Sequence, residues 1–460
     1  MTPIHHVEVG SLSYDHRFHG PPGSASTFDL LVAGGWVLDP ATGRSGRYDI
    51  GVINDHIDTV QPDLPLSMSA QVVDARGCIV LPGLVDLHTH IFSPGTYWGI
   101  DPRPVAWRTG VTAWVDAGSG GAYNIGALDQ LANDTGLSAK AFVNISAVGL
   151  VAETGEARRD DLCDVGLCAS VFEQHPRLAV GVKCRLDRFA VGELGLLPLQ
   201  RAISAATQVG VPVMVHIGAG PPEIDPVLDM LRPGDILTHC MTGQGMSVVG
   251  PTGMVRPSAS RARERGVLFD VGHGSGAFSF TVAEALLAAG YPPHVISSDL
   301  HQHSLMGPAF DLPTCMSKFL TLGMSLEEVV RATTVSPARA VSMEHEWGSL
   351  ETGRRADIAV FEYQTGDFVL YDTYLESRRA TRLLVNRATI ASGVKLPAMP
   401  PLAPAPWVPL TERQSALLQK DVDLLRGPWT TLLEKPQDFV KLELEGPPGR
   451  HFAPWTTKRS

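Results

Sequence analysis

Residues Pro82 to His90 read Pro-Gly-Leu-Val-Asp-Leu-His-Thr-His, so an apolar run ends in two imidazoles, His88 and His90, spaced i, i+2. In an extended strand that spacing puts both rings on one face. Two neutral nitrogens converging at a strand end suit the first two ligand positions of a borderline metal such as zinc. Taken alone, such a pair also occurs on exposed strands and turns. Four further candidate ligands end short apolar segments of their own: Lys183 after Val-Gly-Val, His216 after Val-Pro-Val-Met-Val, His239 after Asp-Ile-Leu-Thr and Asp299 after Val-Ile-Ser-Ser. Each has a structural alternative. Lys183 can be a solvated strand-end lysine, His216 and His239 satisfied histidines near the core, and Asp299 a helix cap. That all these runs end in suitable ligands by coincidence is the weaker explanation.

The elements that must hold these groups follow from the pattern around them. Eight strand-like runs occur at 83–88, 111–117, 140–147, 178–184, 211–216, 235–239, 267–271 and 294–299. Helix-compatible segments such as Leu199 to Gln208, Ser258 to Arg265 and Thr281 to Ala289 fall between several of them. Eight strands alternating with helices predict a TIM barrel, (β/α)8, whose functional groups gather at the C-terminal strand ends. The candidate ligands then sit on strands one, four, five, six and eight.

In this order, His-x-His, Lys, His, His, Asp, the chain resembles the amidohydrolase superfamily, in the binuclear subtype with a carboxylated lysine, over roughly residues 29 to 398. Gly-Val-Lys-Cys-Arg, Thr-His-Cys, Phe-Asp-Val-Gly-His-Gly and Ser-Ser-Asp-Leu-His look like its deacetylase-type branch, similar in architecture to dihydroorotases and hydantoinases. The resemblance implies two divalent metal ions, zinc being the first expectation. His88, His90 and Asp299 would hold one, His216 and His239 the other, and N6-carboxylated Lys183 would join them. A carbamate supplies the anion that a lysine ammonium does not. The implied reaction is hydrolysis of an amide or ester, an acetyl group included, by a bridging hydroxide, with Asp299 as the catalytic proton carrier. Cyclic amide or lactone hydrolysis is the alternative, and a non-catalytic hydantoinase-like scaffold is the alternative of another class. Phe92 stands where dihydroorotases carry a substrate-gripping arginine, which argues against dihydroorotase activity itself.

Other residues are candidates for substrate contact. Alternation along strand four puts Arg185 on the face of Lys183, where it would meet a substrate carboxylate or else pair with Asp187 or Glu193. His273 ends strand seven in a glycine-rich loop and is a candidate to bind substrate, as is Asn144 on strand three. His301 is expected to support Asp299 from behind, and Asp86 to orient a ligand or make a buried hydrogen bond. Cys184 and Cys240 each follow a ligand by one residue and should point away into the core. Asp101, Tyr97 and Trp98 belong to the first loop over the barrel mouth.

Flanking runs at 29–38, 48–60 and 71–79, then Gly348 to Phe361, 367–372 and 381–392, predict a small β-sandwich built from both sides of the barrel. The expected organisation is an arm over 1–28, a composite sandwich over 29–80 and 346–398, a barrel over 81–345, and an extension over 399–460. The arm carries His5, His6, His16 and His19. The extension has one amphipathic helix near Thr411 to Leu425 and three of the eight tryptophans, which suggests docking on a neighbouring subunit or a barrel mouth. With 460 residues, 44% apolar and 18% charged, the chain is globular. Its formal charge of −11 disfavours nucleic acid and anionic membrane surfaces as partners, leaving a small-molecule substrate. Six scattered cysteines do not form a disulfide framework, and no apolar run approaches a membrane span. A cytoplasmic protein, with a homo-oligomer as the default assembly, is the expectation.

Overall fold

The computed structural model describes residues 27–399 except Pro94 and Leu137, together with Ala405, Trp407 and Val408. The expected arm over 1–28 lies almost wholly outside the described residues, as does the expected helix near Thr411 to Leu425.

Seven parallel strands run in chain order around the centre: Leu84–Thr89, Val111–Gly121, Ser138–Asn144, Ala179–Arg185, Val213–His216, Ile236–Thr238 and Leu268–Phe269. Leu84–Thr89 and Val111–Gly121 are buried along their whole length, as strands covered on both faces must be. The eighth run forms no continuous strand. It is joined instead by two parallel bridges, Asp270 to Val295 on one edge and Thr89 to Leu300 on the other, and these close the barrel. Strands six to eight are shorter than expected for a local reason. His239, Gly272 and Asp299 take left-handed backbone angles, φ 64°, 46° and 47°, so the ladder stops where the chemistry-bearing residues begin. Helices Leu197–Val209, Pro257–Glu264 and Phe280–Ala288 occupy the predicted segments within two residues. Gly210 at φ 72° ends the first, and the Ser279 hydroxyl caps the third by accepting from the Val282 amide.

Two sheets form the side domain. One orders His56–Gln61, Asp49–Ile53, Phe28–Ala33 and Ser69–Asp74; the other has six strands. In the latter, Ile79–Pro82 from before the barrel pairs antiparallel with Ile358–Tyr371 from after it, Ile358 opposite Pro82. Val37, Ile50, Val52, Val80 and Ile358 fill the space between the sheets. The runs expected at 367–372 and 381–392 belong to a longer hairpin, Ile358–Tyr371 with Ser377–Ala391, whose tip reaches the barrel: the Asp372 carboxylate accepts from the Phe280 amide. Among the described residues no helix is long and apolar enough to cross a membrane. All six cysteines are free thiols, and Cys184 and Cys240 lie in the core as expected.

Candidate active site

His88, His90, Lys183, His216, His239 and Asp299 converge on one cavity of about 160 Å³ at the C-terminal end of the barrel. Register explains the meeting, because Asn144 opposes Lys183 and Arg185 opposes His216 across neighbouring strands. His88 Nε2 and His90 Nε2 lie 3.3 and 3.2 Å from the same carboxylate oxygen, Asp299 Oδ1. That oxygen is buried and accepts no hydrogen bond among the described residues. One ligand atom from each of His88, His90 and Asp299 fits within 4.8 Å of the others.

The outer hydrogen bonds fix where the imidazole protons are. His88 Nδ1 lies 2.7 Å from the Thr238 hydroxyl, whose own proton goes to Asp270 Oδ2 at 2.7 Å, so His88 Nδ1 must donate. His90 Nδ1 meets the Ser119 hydroxyl at 2.8 Å, and that hydroxyl is engaged by the Asp116 carboxylate. His216 Nε2 donates to Asp187 Oδ2 at 2.9 Å, and His239 Nδ1 donates to the Gly272 carbonyl at 2.6 Å. Every inner nitrogen is therefore left with a lone pair. His216 Nδ1 and His239 Nε2 face each other at 2.8 Å, two lone pairs with no proton between them. Burial lowers the basicity of His88, His216 and His239 and keeps them neutral. Four bare nitrogens and one carboxylate pointing inward suit divalent cations, and each imidazole is oriented by an outer partner.

Lys183 enters the same nest, 1% exposed, with Nζ 3.2 Å from His88 Nε2 and 3.3 Å from Met214 Sδ. Burial pushes its amine down to about 8, so the neutral form is accessible near physiological pH. Backbone shape protects the arrangement. At Gly118, φ 85°, a Cβ would stand 2.4 Å from Lys183 Cβ, and at Gly274, φ 57°, one would stand 2.5 Å from Asp299 Oδ2. His239 and Asp299 themselves hold the left-handed backbone that non-glycine residues rarely adopt.

The wall of the cavity comes from loops. Arg185 lines it, and so do Trp98, Phe189, Gln244 and His301, the last expected instead to support Asp299 from behind. Arg185 stands 3.6 Å from Glu156 and 3.8 Å from Asp187, wider than hydrogen bonds, so its guanidinium is steered by acids without being capped by them. Of the two acids expected beside it, Asp187 is there and Glu193 is not, and Glu156 is a neighbour that was not anticipated. His301 accepts on Nδ1 from the amides of His303 and Ser304, which leaves its Nε2 protonated.

Two residues expected to contact substrate, Asn144 and His273, do not reach the cavity. The Asn144 amide is spent on the Gly118 carbonyl and the Ser146 amide. His273 is fully buried, because the turns at Gly272 and Gly274 send its ring backward to stack on Phe278, with Nε2 2.7 Å from Lys318 Nζ. Asp86 lies behind the cavity and makes the buried hydrogen bonds that were one of its two expected roles: its carboxylate accepts from the amide and hydroxyl of Ser298, just before Asp299, and from the His88 amide. Asp101 pairs with Arg103 away from this cavity, and Phe92 is packed in the core. Glu153, Thr154 and Ser275 were missed as lining residues, since loops carry no periodic signal.

Residues 273–393 match the model of the amidohydrolase family. The chain is 36% identical over 337 residues to a deacetylase of Agrobacterium fabrum, covering 73% of this chain and 83% of that one. It is 31% identical to a deacetylase of Enterococcus faecalis, covering 80% and 98%. Among solved structures, one described as a dihydroorotase superposes with a TM-score of 0.75 at 33% identity, covering 82% and 99%.

Proposed function

Because the chain belongs to the amidohydrolase family, we propose that its cavity is a binuclear metal centre that hydrolyses an acyl bond, an acetyl amide or ester, of a small molecule. His88, His90 and Asp299 would hold one ion, and His216 and His239 the other. Lys183, carboxylated at Nζ, would bridge them, with zinc as the metal these ligand types favour. The observation that carries this reading is the 2.8 Å approach of His216 Nδ1 and His239 Nε2, two nitrogens turned inward by their outer hydrogen bonds and suited to hold a cation. The ions, when bound, supply Lewis-acid polarisation of the scissile carbonyl and acidify a water.

The chain's own residues do the rest. Asp299 takes the proton of the attacking water on its buried carboxylate and returns it to the leaving group. Asp187, which the His216 hydrogen bond and Arg185 hold well below the usual carboxylate range despite its burial, stays anionic and keeps His216 turned inward. Arg185 and the Nε2–H of His301 present cationic and neutral donors from the wall, suited to a carboxylate and a carbonyl on the substrate. Trp98, Leu150, Phe189 and Ile217 give the same cavity an apolar side for the remainder of a small molecule. Six free thiols accord with a reducing, cytoplasmic compartment.

The test is product analysis on a panel of N-acetyl amino acids, acetyl esters of hydroxy acids, lactones and cyclic amides. Release of acetate from one of the first two classes is the expected result. Ring opening without acetate would replace the deacetylase reading by cyclic amide or lactone hydrolysis.

A further inference from the structure

The aromatic wall of the cavity is tied from outside by a short piece of chain beyond the barrel and the sandwich. The Trp407 indole stacks on Tyr97, ring centres 5.7 Å apart and planes 22° from parallel, and its Nε1 donates to the Tyr97 carbonyl at 3.1 Å. The Ala405 amide donates to Gln302 Oε1 at 3.3 Å, while Gln302 Nε2 donates to the Gly99 carbonyl at 2.6 Å. Val408 packs on Met306. These few residues therefore hold two barrel loops at once, the one after strand one through Tyr97 and Gly99 and the one after the eighth run through Gln302 and Met306.

Both loops face the cavity just inside these contacts. Trp98, next to Tyr97, lines the cavity and meets His301 edge-on at 4.8 Å. Its indole donates to the Glu153 carbonyl, and the Tyr97 amide donates to the Leu150 carbonyl, so the same loop also sets two further lining residues. Trp98 and His301 thus have metal-side neighbours on one side and the Trp407 contacts on the other.

We propose that Trp407 is a positioning residue for substrate binding, which clamps Tyr97 and so fixes the Trp98–His301 wall of the cavity. The clamp rests on the hydrolytic reading of that cavity. It acts on how substrate is held and not on the metal ligands, none of which it touches. Removing the indole takes away the Tyr97 stack and the bond to the Tyr97 carbonyl, which loosens this loop without opening the barrel.

Four variants of the full chain test this: Trp407→Ala, Trp407→Phe, Trp98→Ala and Trp407→Ala combined with Trp98→Ala. Amide hydrogen exchange by mass spectrometry reads the loop directly, and 4-nitrophenyl acetate serves as the chromogenic probe of KM and kcat. Trp407→Ala should speed exchange over residues 96–101 and raise KM, each by about 2- to 13-fold, the range that an aromatic stack is worth, with kcat and metal content nearly unchanged. Trp407→Phe, which keeps a stacking ring, should return most of both. In the Trp98→Ala background the KM effect should vanish. Unchanged exchange over 96–101, exchange rising evenly over the chain, a fall in kcat with constant KM, or a full KM effect without Trp98 would each overturn the clamp. If the parent protein does not turn over the probe, the hydrolytic reading is what loses support, and the exchange result still decides whether Trp407 holds the wall.

Discussion

Among the described residues two lysines are buried in this barrel, alike in burial and in a lowered amine but not in what surrounds them. Lys183 is 1% exposed and Lys318 0%, and burial pushes each amine down to about 8. Lys318 sits behind the seventh loop with its bonds complete: Nζ lies 2.7 Å from His273 Nε2 and 2.7 Å from the Pro308 carbonyl, over the Phe278 ring. Lys183 sits at the cavity among four imidazole lone pairs and the unbonded oxygen of Asp299, and its contacts are an imidazole nitrogen and a thioether. A perturbed amine therefore does not identify a site by itself. What distinguishes the site is the surplus of acceptors around the amine, which only added positive charge or metal completes.

The largest expected difference between the two regions is catalytic. Lys183→Ala should lose paired metal binding and activity, and Asp299→Asn should lower kcat/KM by ~10²–10⁴-fold, whereas Lys318→Met should keep metal and turnover; metal analysis with steady-state kinetics separates them. Next in size, Thr238→Val removes the acceptor of the His88 Nδ1 proton and should weaken metal affinity by ~10–100-fold, measured by competition with a chelator. Lys318→Met should cost stability instead, roughly 1–3 kcal/mol from the orphaned His273 nitrogen, read from urea denaturation; an unchanged midpoint would dissolve the contrast. The smallest effect is in pH. The folded Lys318 amine, at about 8, lies below the ordinary lysine value of 10.5, so the unfolded chain binds more protons between them. The stability advantage of the parent over Lys318→Met should therefore grow as pH rises from about 8 toward 10.5, and a gap that shrinks over that range would assign the wrong sign to the burial.

The same pair shows what the sequence made legible. Lys183 ends Val-Gly-Val-Lys, an apolar strand run, and strand ends in a (β/α)8 barrel converge at one face, so its neighbours across the barrel followed from order alone. Lys318 lies inside Leu312–Thr321, where one lysine in a helical pattern reads as a solvated residue. Strand alternation also put Arg185 at the cavity. The other two substrate-contact candidates, His273 and Asn144, stay out of it, because the left-handed turns at Gly272 and Gly274 reverse the ring of the first, and local backbone partners consume the amide of the second. The wall residues Glu153 and Thr154, and Glu156 beside Arg185, come from a loop whose path depends on tertiary contacts, such as the bond from the Trp98 indole to the Glu153 carbonyl. The composite sandwich was legible because its strands alternate, though its longest hairpin, Ile358–Tyr371 with Ser377–Ala391, outruns the segments that pattern marked.

The most direct test of the central claim is metal content per chain, measured with intact mass under gentle conditions, on the parent protein and on Lys183→Ala. Close to two divalent ions per parent chain and a mass increment of one carbon dioxide are expected, with both the increment and the paired occupancy lost in Lys183→Ala. Two ions retained by Lys183→Ala, or a fully metallated parent without the increment, would contradict that claim.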